Sequence, residues 1–242
     1  MSEALIIDAG NTRVTAVSWP GASLEVVGSW ATSAVVAKEP TVVAELDDLL
    51  AGFASAMPVL VSVVPEVTTL LREHQADLVE VDHRCELPFA MAVETPAEVG
   101  PDRLCNMAAA SAAGYRRSLV VDLGTATTFD LLVDGVFIGG LIAPGLEFSA
   151  RSLGNRAARL KAVPFGPRPL AAGTDTTAAM AAGAWHTGIG GVETVIAGLT
   201  QKYGPLQVVL TGGLGFHLAA DDRLCDPEWT LRGAAVLAGL CS

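Results

Sequence analysis

Two segments of this 242-residue chain share one pattern: a short apolar run ending in Asp, a turn that carries Gly, then a second apolar run. The first is Ala4-Leu5-Ile6-Ile7-Asp8, followed by Ala9-Gly10-Asn11-Thr12 and an apolar stretch to Trp19. The second is Leu119-Val120-Val121-Asp122, followed by Leu123-Gly124-Thr125-Ala126-Thr127-Thr128 and a return run, Phe129 to Val133. Each reads as strand, tight turn, strand. A chain that opens its two halves alike is expected to build two similar α/β domains facing each other across a cleft. The expected boundaries are 1–113 and 114–242, with no low-complexity linker between them.

The remaining pattern fits that frame. Leu24 to Trp30 predicts a third strand after the Pro20-Gly21 turn. Apolar residues at helical spacing predict a helix over Thr41 to Ser55. Val59 to Val64 predicts a buried strand closed by Pro65, then a helix to Gln75 and a short strand, Leu78 to Val81. An Ala-rich helix is expected from Leu104 to Ala113, with Gly114 as its stop. In the second half, Val136 to Ile138 follows the Asp134-Gly135 hairpin signal. Helices are expected near Glu147 to Asn155, Thr177 to Ala184, Gly191 to Lys202 and Leu231 to Leu240, with a strand at Gln207 to Leu210.

Composition closes several function classes. The chain is 51% hydrophobic and 17% charged, which is a globular balance. Its net charge of -11 opposes binding to a polyphosphate backbone over a broad face, so no nucleic-acid partner is expected. The cysteines (Cys85, Cys105, Cys225, Cys241) and histidines (His74, His83, His186, His217) fall at no metal-ligand spacing. The N-terminus has no basic segment leading into an apolar one, and no run reaches the roughly 20 apolar residues of a membrane helix. A cytoplasmic protein without membrane contact is the expectation.

Asp8 to Thr12 is either an ordinary hairpin turn or a phosphate loop. In the second case Gly10 lets backbone N–H groups approach oxygens, Asn11 and Thr12 add donors, and Asp8 holds a metal ion or its waters. The three threonines after Asp122 suit a strand, yet their match to the first loop favours a second phosphate face. Thr211-Gly212-Gly213, after an apolar strand, fits a third loop near an adenosine. Gly100-Pro101-Asp102-Arg103 at a helix start is a surface charge pair or, in a kinase cleft, a base beside an anion holder. Gly139 to Gly145 is a Gly/Pro-rich break that is a turn or the floor of the cleft. Thr174-Asp175-Thr176-Thr177 reads as a helix N-cap.

Taken in order, these segments resemble the type III pantothenate kinases. The matching pieces are Asp8 to Thr12, Ser62-Val63-Val64-Pro65, Glu98 to Arg103, Asp122 to Asp130, Gly139 to Gly145, Arg156-Ala157-Ala158-Arg159-Leu160, the Thr176 region and Thr211 to Gly213. The resemblance implies a duplicated ribonuclease H-like fold of the actin-like ATPase superfamily, with mixed sheets flanked by helices. It implies ATP-dependent phosphorylation of pantothenate, the first step of coenzyme A biosynthesis, by a homodimer with Mg²⁺ and a monovalent cation, K⁺ or NH₄⁺. By position, Asp8, Ala9, Gly10, Asn11, Thr12, Arg13, Val14 and Thr15 would hold ATP phosphates, and Thr125 would contact ATP. Gly100, Pro101, Asp102, Arg103 and Thr176 would bind pantothenate, Asp102 would be the general base, and Asp122 would bind the monovalent cation. Two positions depart from the family pattern: Val93 stands where these kinases usually carry a Tyr, and Pro101 fills the Gly-x-Asp-Arg spacer in place of the commoner small or aliphatic residue. The alternatives carried beside this reading are a kinase of a different hydroxylated acid and a non-catalytic, regulatory relative.

Overall fold

A computed structural model describes residues 4–19, 24–75, 77–156 and 162–239. The chain divides into two compact units: residues 1–114 together with 229–242, and residues 115–228.

In the first unit, β1 (Ala4–Ala9) pairs antiparallel with β2 (Arg13–Trp19), and β2 with β3 (Glu25–Ala31). Then come α1 (Thr32–Val36), α2 (Pro40–Gly52), β4 (Met57–Ser62), α3 (Pro65–His74) and β5 (Val79–Glu80). β4 runs parallel to β1, and β5 parallel to β4, so the sheet order is β3-β2-β1-β4-β5. A two-residue strand, β6 (Ala90–Met91), and a 3₁₀ turn (Pro96–Glu98) lead to α4 (Pro101–Ala112).

In the second unit, β7 (Ser118–Leu123), β8 (Ala126–Val133) and β9 (Val136–Pro144) form an antiparallel meander. α5 (Leu146–Arg156) and α6 (Thr176–Tyr203) follow, then β10 (Gln207–Thr211), a 3₁₀ turn (Gly215–Leu218) and β11 (Arg223–Cys225). β10 lies parallel to β7, and β11 parallel to β10, so the order is β9-β8-β7-β10-β11. This repeats the first sheet strand for strand, as the paired Asp motifs predict. Asp8 neighbours Val61 of β4, and Asp122 neighbours Thr211 of β10, in matching registers.

Central strands are buried on both faces, which is why β1 and β7 read as unbroken apolar runs. One side of the first sheet packs Leu5, Ile7, Val14 and Leu60 against Leu46, Leu50, Val67 and Leu71 of α2 and α3. Its other side packs Ile6, Val17, Val59 and Val61 against Cys105 of α4 and Ala234 and Ala235 of α7 (Trp229–Leu237).

Three expectations are corrected. Helix α7 belongs to the first unit, so residues 229–239 do not complete the second. The two helices expected within residues 177–202 are one helix, α6. Gly183, Gly190 and Gly191 sit where nothing would contact a side chain, and buried Ala181, Val192 and Ile196 hold the helix despite a cost of about 1 kcal/mol per glycine relative to Ala. The break at Gly139 to Gly145 is mostly strand, because β9 runs through to Pro144. Gly140 serves close approach there: a Cβ would collide with the Phe129 carbonyl, beside the irregularity in the β8–β9 ladder. The short helix α1 carries no periodic signal and was missed. The Pro20-Gly21 turn and most of Arg156 to Leu160 lie outside the described residues.

Candidate active site

The first loop closes tightly. Gly10 N–H donates to the Arg13 carbonyl at 3.0 Å. Thr32 pins the turn from outside: its hydroxyl donates to the Gly10 carbonyl at 2.6 Å, and its N–H to the Thr12 carbonyl at 3.1 Å. Thr32 is a positioning residue that sequence reasoning missed, since nothing in its local pattern marks it. Val63 N–H donates to the Ala9 carbonyl, and the Ser62 hydroxyl shares hydrogen bonds with Val64, so the Ser62-Val63-Val64-Pro65 segment buttresses the end of β1.

Asn11, Thr12 and Arg13 are exposed at the tip, and Asp8, Gly10 and Thr15 are half-buried. Ala9 and Val14 are core residues. Of the expected phosphate-loop residues, these two can offer a ligand only backbone groups. The Arg13 guanidinium donates to the Ser29 hydroxyl at 3.0 Å on the neighbouring strand.

The Gly-Pro-Asp-Arg segment is the start of α4, three residues earlier than the periodicity predicts. Gly100 is the N-cap and Pro101 the first helical residue, a place where a missing N–H costs nothing. Gly100 has no side chain to cap the helix, so Asp102 does this work from inside the first turn. Its Oδ1 accepts the Arg103 N–H at 2.9 Å. The carboxylate folds so closely over Gly100 that a Cβ there would collide with it.

Burial raises the Asp102 pKa above its ordinary value, and the Arg103 N–H and guanidinium charge pull it back down. Cys105, fully buried on α4, lies near enough to Asp8 and Asp102 to feel the charge of both. Burial first, then the charges of Asp8 and Asp102, push that thiol up, so it stays neutral.

In the second unit, two segments converge on the Asp122 loop. Gly124 N–H donates to the Ala126 carbonyl at 3.1 Å. Gly145 N–H, just before α5, donates to the Thr125 carbonyl at 3.1 Å, and a Cβ on Gly145 would strike that same oxygen. Gly212 has φ +77°, and a Cβ there would stand 2.5 Å from Asp122 Oδ1. The Thr211-Gly212-Gly213 loop is thus seated on Asp122. Thr125 is exposed, and Asp122 is half-buried. Within the strands behind it, Thr128 donates to the fully buried Asp130 at 3.1 Å.

Thr176 is the first residue of α6, beside the N-cap Asp175, whose side chain accepts the Ala178 N–H at 2.9 Å. It lines a largely apolar groove of about 680 Å³ between α5 and α6, with Leu146, Ala150, Met180 and Gly183. Val93, half-buried, lies in the irregular stretch before the Pro96–Glu98 turn.

Among the described residues no three His, Cys, Asp or Glu side chains cluster as a metal cage. Asp8 and Asp122 offer single hard-oxygen donors, and Mg²⁺ suits such sites because it takes one or two carboxylates with substrate phosphates and water.

Two units whose strands follow one order, each with an Asp near the end of its first strand and a glycine turn beyond, define an α/β fold of the actin-like ATPase type. A family model described as type III pantothenate kinase matches residues 4–198. The chain is 35% identical to the type III pantothenate kinase of Acidiphilium cryptum (strain JF-5), over 97% of this chain and 93% of that protein. It is 32% identical to that of Dehalococcoides mccartyi (strain ATCC BAA-2266 / KCTC 15142 / 195), over 98% of each. The chain belongs to the type III pantothenate kinase family, and it is a kinase.

Solved structures agree on fold. A Baf family protein from Campylobacter jejuni superposes with a TM-score of 0.61 at 18% identity, covering 97% of both chains. The inorganic polyphosphate/ATP-glucomannokinase from Arthrobacter sp. strain KM gives 0.53 at 13% identity, over 98% of this chain and 99% of that one.

Proposed function

We propose that this kinase transfers the γ-phosphoryl group of ATP to the primary hydroxyl of pantothenate, as the first step of coenzyme A biosynthesis. The observation that carries the reading is Asp102: a half-buried carboxylate in the first turn of α4, beside Arg103, with its pKa raised by burial. A base with a raised pKa transfers protons well nearer neutral pH. Asp102 accepts the hydroxyl proton as the oxygen attacks phosphorus, and Arg103 holds the substrate carboxylate. Backbone N–H groups and the side chains of Asn11, Thr12 and Thr125 take phosphate oxygens, and Asp8 and Asp122 hold the cations. Mg²⁺, when bound, neutralises phosphate charge, and Asp122 is assigned to K⁺ or NH₄⁺. Thr176 contacts pantothenate. Most of the rate enhancement then comes from positioning and electrostatics, as phosphoryl transfer requires.

The test is ADP release by the purified protein with ATP, Mg²⁺ and pantothenate, in K⁺ and again in Na⁺. Pantothenate-dependent turnover in K⁺ that collapses in Na⁺ is the expected result. No turnover by folded protein in K⁺ or NH₄⁺ sinks the assignment to pantothenate. Val93 favours one second reading, a kinase of another hydroxylated acid. Turnover on a different acid, with none on pantothenate, would select it.

A homodimer accompanies the reading. Ile142 on β9 and Phe148 and Leu153 on α5 are 66%, 57% and 49% exposed. Exposed large apolar side chains suit contact with a second copy of the chain. Sedimentation equilibrium is expected to return twice the 24.9 kDa chain mass, and a monomer at micromolar concentration contradicts it.

A further inference from the structure

Helix α7 touches α4 over the turn that follows Asp102. Gly233 lies so close to Cys105 that a Cβ there would collide with the Cys105 carbonyl, and its nearest contacts are backbone atoms rather than a flexible side chain. On the next residue, the buried Trp229 indole N–H donates to the Asn106 carbonyl at 3.1 Å. The Thr230 hydroxyl donates to Asn106 Oδ1 at 2.9 Å. Asn106 is itself buried, at 1% exposure; the Trp229 bond is buried with it and the Thr230 bond is part-buried. Both helices present small residues at this crossing: Cys105 and Ala108 on α4, Ala234 and Ala235 on α7, all fully buried.

In an α-helix the N–H of residue 106 bonds to the carbonyl of residue 102, so Asn106 and Asp102 belong to one rigid turn. Any shift of Cys105 or Asn106 moves the first turn of α4 with it. The N-cap of α4, Gly100, supplies no side chain to hold that turn.

We propose that Gly233, Thr230 and Trp229 are positioning residues for phosphoryl transfer, acting through Cys105 and Asn106 to fix where Asp102 stands. This rests on Asp102 being the base. Gly233→Ala forces α4 and α7 apart, by an amount set by the collision with the Cys105 carbonyl. A displacement of about 1 Å at a reacting group can cost on the order of 100-fold. Thr230→Val keeps the shape and removes the bond to Asn106, and Thr230→Ser restores it.

The experiment uses the full chain: steady-state kinetics with ATP and pantothenate across pH for wild type and the three variants, with urea unfolding to establish that each is folded. Folded Gly233→Ala is expected to lose about 10- to 100-fold in kcat. Its KM for ATP should not change, and the acid limb of its pH profile should move. Thr230→Val is expected to show a smaller effect of the same kind, and Thr230→Ser none. A folded Gly233→Ala with the wild-type kcat and pH profile overturns the proposal. If Gly233→Ala does not fold, Thr230→Val indistinguishable from wild type overturns it instead. If wild type itself does not turn over pantothenate, the Asp102 carboxyl is titrated by ¹³C NMR in wild type and Thr230→Val. A displaced titration supports the positioning role, and an unmoved one overturns it, whatever the substrate.

Discussion

Asp102→Asn is expected to lower kcat by about 10²–10⁴-fold, the usual contribution of a positioned base, with the protein still folded. The same variant should be no less stable than wild type at neutral pH. The sign follows from burial. The folded-state pKa of Asp102 is raised above the ordinary 3.8. Between 3.8 and that raised value the folded state binds more protons than the unfolded state, so stability falls as pH rises through this window. The contribution is fully present below 3.8 and lost above the folded pKa. Asn resembles the protonated carboxyl, still accepts the Arg103 N–H, and does not titrate, so the variant keeps what wild type loses. Urea unfolding at pH 7 and near pH 4 checks this. A variant that loses less than about tenfold in kcat, against the same benchmark, removes Asp102 from the role of base. A variant markedly less stable at pH 7 contradicts the burial argument. The acid limb of the wild-type kcat/KM profile should also lie above the ordinary Asp value of 3.8.

Gly212→Ala should damage the second loop and the fold together. Its φ of +77° is a left-handed conformation that L-residues adopt at a cost of about 1–3 kcal/mol. The added Cβ would also stand 2.5 Å from Asp122 Oδ1 and 2.7 Å from the Leu123 carbonyl carbon. To relieve that, Asp122 must swing away or the Leu123 backbone must move. Expected results are a stability loss of at least that strain energy in urea, and a KM for ATP or K⁺ raised with it. Gly213→Ala is the control, because nothing lies within 4 Å of its Cβ position. If the two variants behave alike, the contact between the third loop and Asp122 has no functional weight.

Much of this architecture is legible in residue order. The paired Asp-x-Gly motifs predict two alike sheets, and the five strands of the first unit's sheet, β3-β2-β1-β4-β5, have their counterparts in order in β9-β8-β7-β10-β11 of the second. They do so because a central strand must be apolar on both faces, and a strand ending in a carboxylate before glycine is a sharp local signal. The Gly100 to Arg103 segment is legible as a helix start for similar local reasons. What sequence reading misses are features decided by tertiary contact. Gly139 and Gly140 look like a break, yet glycine there lets β9 approach Phe129. The glycines of α6 look like a gap between helices, yet buried residues on one face hold the helix continuous. Thr32 acts on a loop distant in sequence, so no local pattern reveals it; Gly145 and Gly212 are legible as turn glycines, but not that they close on Thr125 and Asp122. The membership of α7 in the first unit is of the same kind, because its partner α4 lies more than a hundred positions earlier.

That membership sets an order of events at the ribosome. Residues 115–228 form one uninterrupted stretch, so the second unit can complete its sheet as soon as that stretch has emerged. The first unit is synthesised earlier and finished later. Until α7 appears, Cys105 and the alanines of α4 have no Gly233 or Ala235 to pack against, and one side of the first sheet stays incomplete. The nascent chain therefore carries an uncovered apolar surface through the whole translation of its second half, a period in which chaperone capture or mispairing competes with folding. Bridging the ends of that interval costs little in loop entropy once the second unit has folded, since closure grows only with the logarithm of length. The vulnerability is one of time rather than of stability.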